Sequence, residues 1–202
     1  MRALGRRIPW LILGILLLAA AAALVAGNLL EQRRGQAASN QLLEAAHAQR
    51  TAANIPPSPV VDEAGGLPQE ALVSATHQID GVLSLPTLGL ELPVLSGYSE
   101  ELLRLSPCVY QREGDGGRTV VAGHNYRAHF GRLPQLQPGD PVTYQPQEGD
   151  LLQLEVLSLE EIDADDRDAL DAGSWEMTLL TCNLDQTRRI LVRLGTAEAS
   201  NP

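Results

Sequence analysis

Three side chains of different chemistry stand at the edges of apolar runs in this chain. Cys182 closes the run Met177-Thr-Leu-Leu-Thr-Cys182. His124 follows Thr119-Val-Val-Ala-Gly123. Arg189 opens Arg189-Ile-Leu-Val192 after a short polar break. If the runs are strands, each residue sits at a strand end and can project at a rim, and three such ends can converge. A thiol, an imidazole and a guanidinium together suffice for acyl transfer. The thiolate attacks a carbonyl, the imidazole moves the proton, and the guanidinium stabilises the developing oxyanion. The blander alternative is that Cys182 is core filler, because a lone buried Cys usually behaves as a small hydrophobe. Arg188 rivals Arg189 for the third role, since adjacent strand residues face opposite ways.

The other reactive residues are placed by context. Cys108, in Ser106-Pro-Cys-Val-Tyr110, lacks such neighbours and reads as structural. A Cys108–Cys182 disulfide is conceivable outside the cell but would abolish the nucleophile. His129 follows His124 by five residues, is expected in a surface loop, and is the second candidate for the base. His47 and His77 fall in the expected stalk and linker region and are expected to carry no chemistry. All 15 basic residues are Arg, so Lys Schiff-base, Walker-type Lys and Ser–Lys chemistries are excluded. Two Cys cannot make a Cys-rich zinc site or a disulfide scaffold.

The elements that must position these groups are short strands punctuated by Gly, Pro and Asp. Candidates are 81–85, 88–95, 118–122, 141–145, 151–159, 177–181 and 189–194, with Leu152, Leu154 and Val156 on one face. Ser99-Glu-Glu-Leu-Leu-Arg-Leu105 reads as a short helix capped by Ser99, and Phe130 to Leu136 as at most a helical turn. Pro138-Gly-Asp140 is a turn. About seven strands with few helices predict an all-β domain, either a closed barrel or a sandwich, and periodicity alone does not choose between them.

Taken together, these residues resemble the sortases, membrane-anchored cysteine transpeptidases of Gram-positive bacteria. The resemblance rests on Ala122-Gly123-His124-Asn125, Phe130-Gly131-x-Leu133, Pro138-Gly139-Asp140-x-Val142, Thr178-Leu-x-Thr-Cys182 and Arg189-Ile-Leu-Val192, with Leu92-Pro93-Val94 upstream. It spans about residues 80–195, and the Gly-His-Asn segment leans toward class B-like members. It implies an all-β, closed sortase barrel of seven to eight strands with short helices. It also implies Cys182 as nucleophile, His124 as general acid/base and Arg189 as oxyanion or substrate clamp. Arg189 is preferred over Arg188 because it directly precedes the apolar run, as the family pattern requires. Thr181, Asn125 and Arg188 flank the trio and are the expected substrate-contacting residues; Asn125 can equally orient His124 or simply open the loop. The implied substrates are secreted proteins with a C-terminal sorting signal. They are held as a thioester and passed to an amine acceptor on a cell-wall precursor or a pilin Lys. The alternatives are a membrane-tethered β-barrel binding module without catalysis and a hydrolytic cysteine endopeptidase.

Ile8 to Gly27 is uncharged, and about 20 helical residues span the ~30 Å hydrocarbon core of a bilayer. Arg2, Arg6 and Arg7 precede it, so the positive-inside rule places the N-terminus in the cytoplasm and the remainder outside. A cleaved signal peptide fits less well, because its apolar core should be only ~7–15 residues and Leu24 is not small at the cleavage-like site. The expected organisation is therefore a cytoplasmic N-terminus at 1–7 and a transmembrane helix at 8–30. A stalk and linker follow at 31–79, then a catalytic barrel at 80–197 and a tail at 198–202. The linker is broken by Asn54-Ile-Pro-Pro-Ser-Pro59.

Charge divides in the same way. Residues 1–34 carry five Arg against Glu31, whereas 35–202 carry ten Arg against 24 acids. An acidic soluble part with only 3% aromatics is a poor fit to nucleic acid on electrostatic and stacking grounds, and no nucleic-acid partner is expected. The stretch Glu160-Glu-Ile-Asp-Ala-Asp-Asp-Arg-Asp-Ala-Leu-Asp171 is expected to be a solvated acidic loop. Oxygen ligands at this density could hold Ca²⁺, but Arg167 sits where an EF-hand ligand should be and the required Gly is missing, so no obligatory metal and no cofactor are expected.

Overall fold

The computed structural model describes residues 8–53, 78–113 and 118–196. The Pro-rich linker after Asn54, His77 and the C-terminal tail lie outside the described residues. The chain divides into two units, Met1–Arg34 and Gly35–Pro202. Helix α1 (Ile8–Ala53) contributes to both. In the first unit its apolar side chains, including Leu16, Leu17, Leu18, Leu24 and Val25, face outward. The helix contains one stretch long and apolar enough to cross a membrane.

The second unit is a closed eight-stranded barrel in the order β1-β2-β3-β4-β7-β8-β6-β5. The strands are β1 (Ile79–Leu85), β2 (Leu90–Leu95), β3 (Cys108–Arg112), β4 (Thr119–Ala122), β5 (Pro141–Pro146), β6 (Leu152–Asp163), β7 (Met177–Cys182) and β8 (Arg188–Gly195). Closure decides between barrel and sandwich in favour of the barrel. Helix α2 (Glu100–Leu105) carries the chain from β2 to β3, whose pairing is parallel. Ser99 caps it by accepting from the Leu102 amide, as its sequence predicts.

Two apolar layers explain the two kinds of strand sequence. The barrel interior holds Leu83, Leu85, Leu92, Val94, Val121, Phe130, Val142, Leu154, Val156, Leu179 and Val192. A second layer lies outside the sheet, where Leu42, Ala45 and Ala46 of α1 pack on Val82, Leu95, Leu103, Cys108 and Ala122. Strand β4 is covered on both faces and reads as a short continuous buried run, β1 and β2 are mostly buried but broken by Asp80, Ser84 and Glu91, and β5 and β6 alternate because one face is wet. Leu154 and Val156 point inward as the alternation predicts, but Leu152 sits 42% exposed at the rim.

Three expectations need correction. The expected strand at 88–95 begins only at Leu90, because Pro86–Leu88 forms a 3-10 turn closed by Gly89 at φ 58°. Strand β3 carries no periodic signal: it is five residues long, ends in Gln111-Arg112, and its register shifts between Val109 and Gln111. The acidic stretch is not all loop. Glu160 to Asp163 extend β6 along β8, and helix α3 (Arg167–Asp171) follows, capped by the Asp166 side chain on the Ala169 amide.

Candidate active site

Register places the site before any side chain is considered. Leu95 pairs with Cys108, Cys108 with Ala122, and Ala122 with Leu180, so the ends of β2, β3, β4 and β7 line up at one rim. The Gly123 amide donates to the Leu180 carbonyl at 2.9 Å, continuing the parallel β4–β7 ladder by one step. Two residues beyond that pair, Cys182 closes β7, and His124 stands in the loop that follows the end of β4.

Cys182 pairs directly with Arg189 across the antiparallel β7–β8 ladder, and directly opposed residues share a face. The Arg189 guanidinium accordingly donates from Nη1 to Cys182 Sγ at 2.8 Å, with both residues half-buried. Arg188 points the other way. It is exposed and pairs with Asp163 at 3.4 Å, outside the thiol site where it was expected to meet substrate. A compact hairpin turn sets this register. The Asn183 amide donates to the Arg188 carbonyl, Asn183 Oδ1 accepts from the Arg188 amide, and Asp185 accepts from the amide and hydroxyl of Thr187. Those Thr187 bonds hold the Asp185 carboxyl below its ordinary range. Gln186 takes the left-handed conformation at φ 61°.

The His124 loop is held by two glycines. A Cβ on Gly123 would stand 2.6 Å from the Phe130 ring, and one on Gly131 would collide with the Asn125 carbonyl. Phe130 is fully buried, and its amide donates back to the His124 carbonyl at 3.1 Å. The Gly131 and His129 amides both donate to the Tyr126 carbonyl at 2.9 Å. The loop is therefore a closed ring of backbone bonds wrapped on one aromatic plug. Asn125 Nδ2 donates to the Asn183 carbonyl at 3.1 Å, tying the His loop to the Cys hairpin. Thr181 departs from its expected substrate contact. It is 2% exposed, and its hydroxyl donates to the Gly123 carbonyl at 2.8 Å, bracing β7 against the residue before His124.

His129 also departs from its expected surface position, being fully buried. Burial, with His124 second, pulls its pKa down to about 4, while the Gly35 backbone acts weakly in the opposite sense. Cys108 is structural as expected. It is a free thiol in the layer under α1, donating to the Ser106 carbonyl at 3.4 Å, and burial pushes its pKa up to about 12. Cys182 is likewise free of any disulfide. His47 pairs with Glu91 on the surface.

Sequence reasoning missed the aromatic rim. Three of the four tyrosines gather there: Tyr98 and Tyr110 meet edge to face at 5.0 Å, and Tyr126 lies 4.8 Å from the His124 ring. The Tyr98 hydroxyl is raised above its ordinary range first by burial. Glu100 and Tyr110 add to the rise, Arg189 opposes it, and Cys182 adds a little, so Tyr98 feels both site residues. The only available signal was the concentration of scarce aromatics near the strand ends.

The acidic connection between β6 and β7 is tied down by guanidiniums. Arg193, 1% exposed, donates to the Leu170 and Ala169 carbonyls, to Thr178 Oγ1 and to Glu160. Arg118 donates to the Asp171 and Gly173 carbonyls. Among the described residues no three His, Cys, Asp or Glu side chains gather as a possible metal-ligand set.

A sequence model described as the sortase domain matches residues 83–196. Sortase A of Bacillus anthracis is 32% identical over 111 residues, covering 52% of this chain and 52% of that relative, so the chain spans about half the length of the relative it matches. Sortase C-3 of Streptococcus pneumoniae superposes with a TM-score of 0.52 at 25% identity, covering 81% of this chain and 82% of that one. A lid mutant of sortase A from Corynebacterium diphtheriae gives a TM-score of 0.53 at 23% identity, covering 77% and 91%, a likeness of fold. With more than half of its length matched by the domain and the same barrel underneath, this chain belongs to the sortase family.

Proposed function

We propose that the protein is a sortase-type cysteine transpeptidase acting on secreted proteins that carry a C-terminal sorting signal. The carrying observation is the 2.8 Å contact between the Arg189 guanidinium and Cys182 Sγ at a barrel rim where the loop bearing His124 leaves the neighbouring strand. In this reading the Cys182 thiolate attacks the scissile carbonyl, forming an S–C bond. The oxyanion is stabilised by Arg189, whose cation already lies against the sulfur. His124 gives its proton to the departing amine, and the C–N bond breaks to leave a thioester. An acceptor amine on a cell-wall precursor or pilin then attacks that thioester, His124 takes up its proton, and Cys182 leaves as thiolate.

The remaining expected residues act as supports. Asn125 couples the two loops, and Thr181 holds the strand step before His124. The apolar helix anchors the protein in the cell membrane, with Arg2, Arg6 and Arg7 on the cytoplasmic side and the barrel outside.

The test is acyl-enzyme trapping. Incubated with sorting-signal peptides, the wild-type protein should gain the mass of the N-terminal fragment as a hydroxylamine-labile adduct, and Cys182→Ala should gain none. His124→Ala should lose turnover by at least ~10²-fold. Equal adduct on wild type and Cys182→Ala would refute the assignment.

A further inference from the structure

Helix α1 does more than lead toward the barrel. Gly35, Ser39, Leu42, Ala45 and Ala46 form one buried stripe at helical spacing, and four of the five are small, so the helix backbone lies close to the barrel. Gly35 makes the closest approach. A Cβ there would stand 3.0 Å from the Arg104 carbonyl, 3.5 Å from Tyr126 Cδ2 and 3.6 Å from His129 Cε1. Glycine inside a helix costs about 1 kcal/mol relative to Ala, and this contact gives the position a physical reason. One turn further on, Ser39 Oγ meets Ser106 Oγ at 3.4 Å.

The rings under Gly35 lead directly to the site. His129 lies 5.5 Å from Tyr126 at 47°, and Tyr126 lies 4.8 Å from His124 at 31°. Tyr126 is thus held between a fully buried imidazole and the imidazole at the thiol rim, with the helix pressed on both Tyr126 and His129. We propose that the docked part of α1, from Gly35 to Ala46, is a positioning element of the catalytic centre that holds the His124 ring toward Cys182 through the Tyr126–His129 pair. Nothing in this role requires the helix to touch substrate. The inference rests on the thiol–imidazole reading of the site, and its test separates the two.

The readout is alkylation of Cys182 by iodoacetamide across pH, using the full chain in detergent micelles. Cys108 stays silent, because it is fully buried. Gly35→Leu drives a side chain into the Arg104 carbonyl and both rings, and Gly35→Ala adds one methyl while favouring the helix. Gly35→Leu should unfold cooperatively like wild type yet alkylate at least fivefold more slowly at pH 7, its inflection moving toward that of His124→Ala. If Gly35→Leu does not fold, Gly35→Ala decides, with at least a twofold slowing expected. Wild-type rate and inflection in the deciding variant, alongside a changed His124→Ala, would overturn the helix role alone. An unchanged His124→Ala would overturn the thiol–imidazole reading and this inference with it.

Discussion

At the scale of single residues, the site is decided by which way two adjacent arginines face. Arg189 lies opposite Cys182 and reaches its sulfur; Arg188, one residue earlier, faces outward to Asp163. In the proposed mechanism Arg189→Ala should therefore lower kcat/KM by about 10²–10³-fold, the usual loss when an oxyanion donor is removed. Arg188→Ala breaks only an exposed ion pair, worth about 0–1 kcal/mol, and should stay within a few-fold of wild type in the same peptide assay. The apolar run that follows Arg189 favoured it, but its contact with the sulfur is set by the register across β7 and β8. The burial of Thr181 and His129 was not, since neighbours in the chain do not reveal that the Gly123 carbonyl and helix α1 stand against them.

At the scale of elements, the reactive groups are held by braces between loops. Thr181→Val keeps the shape of the side chain but leaves the buried Gly123 carbonyl without its hydroxyl donor. The substitution should cost about 1–3 kcal/mol in urea unfolding and lower turnover as well, because that carbonyl belongs to the residue before His124. A loss of stability with full turnover would remove the brace from the mechanism. Strands with strong patterns, such as β4, β7 and β8, were visible in sequence because each carries a short apolar run, Val120-Val-Ala122, Leu179-Leu180 or Ile190-Leu-Val192. Strand β3 was not, because it is short and held by its partners on either side rather than by its own composition. The acidic run misled for the opposite reason. Its charges look like a solvated loop, yet Arg193 and Arg188 from β8 pair with Glu160 and Asp163 and let β6 continue through it.

At the scale of the whole molecule, buried His129 makes stability depend on pH. Its folded pKa lies near 4 against an ordinary value of 6.5, so between those values the unfolded chain binds the extra proton. Stability is therefore full above about pH 6.5 and falls as pH drops toward 4, by about 3 kcal/mol from this group. Urea unfolding of His129→Leu and wild type should diverge across that window, the variant losing less on acidification. Parallel pH curves for the two would show that His129 is not buried neutral in solution. The two-layer build explains the sensitivity: α1 covers the outer face of the sheet, and His129 sits where helix, loop and barrel meet.

Sequence by itself determined the membrane-length helix and most of the strands, and it marked Cys182, His124 and Arg189 as candidates. Each of these follows from local composition or from a motif within a few residues. Only the tertiary structure decided that the strands close into a barrel, that Arg189 rather than Arg188 meets the sulfur, and that α1 packs beneath the His124 loop. Those outcomes depend on register and on contacts between residues far apart in the chain, which no local pattern encodes.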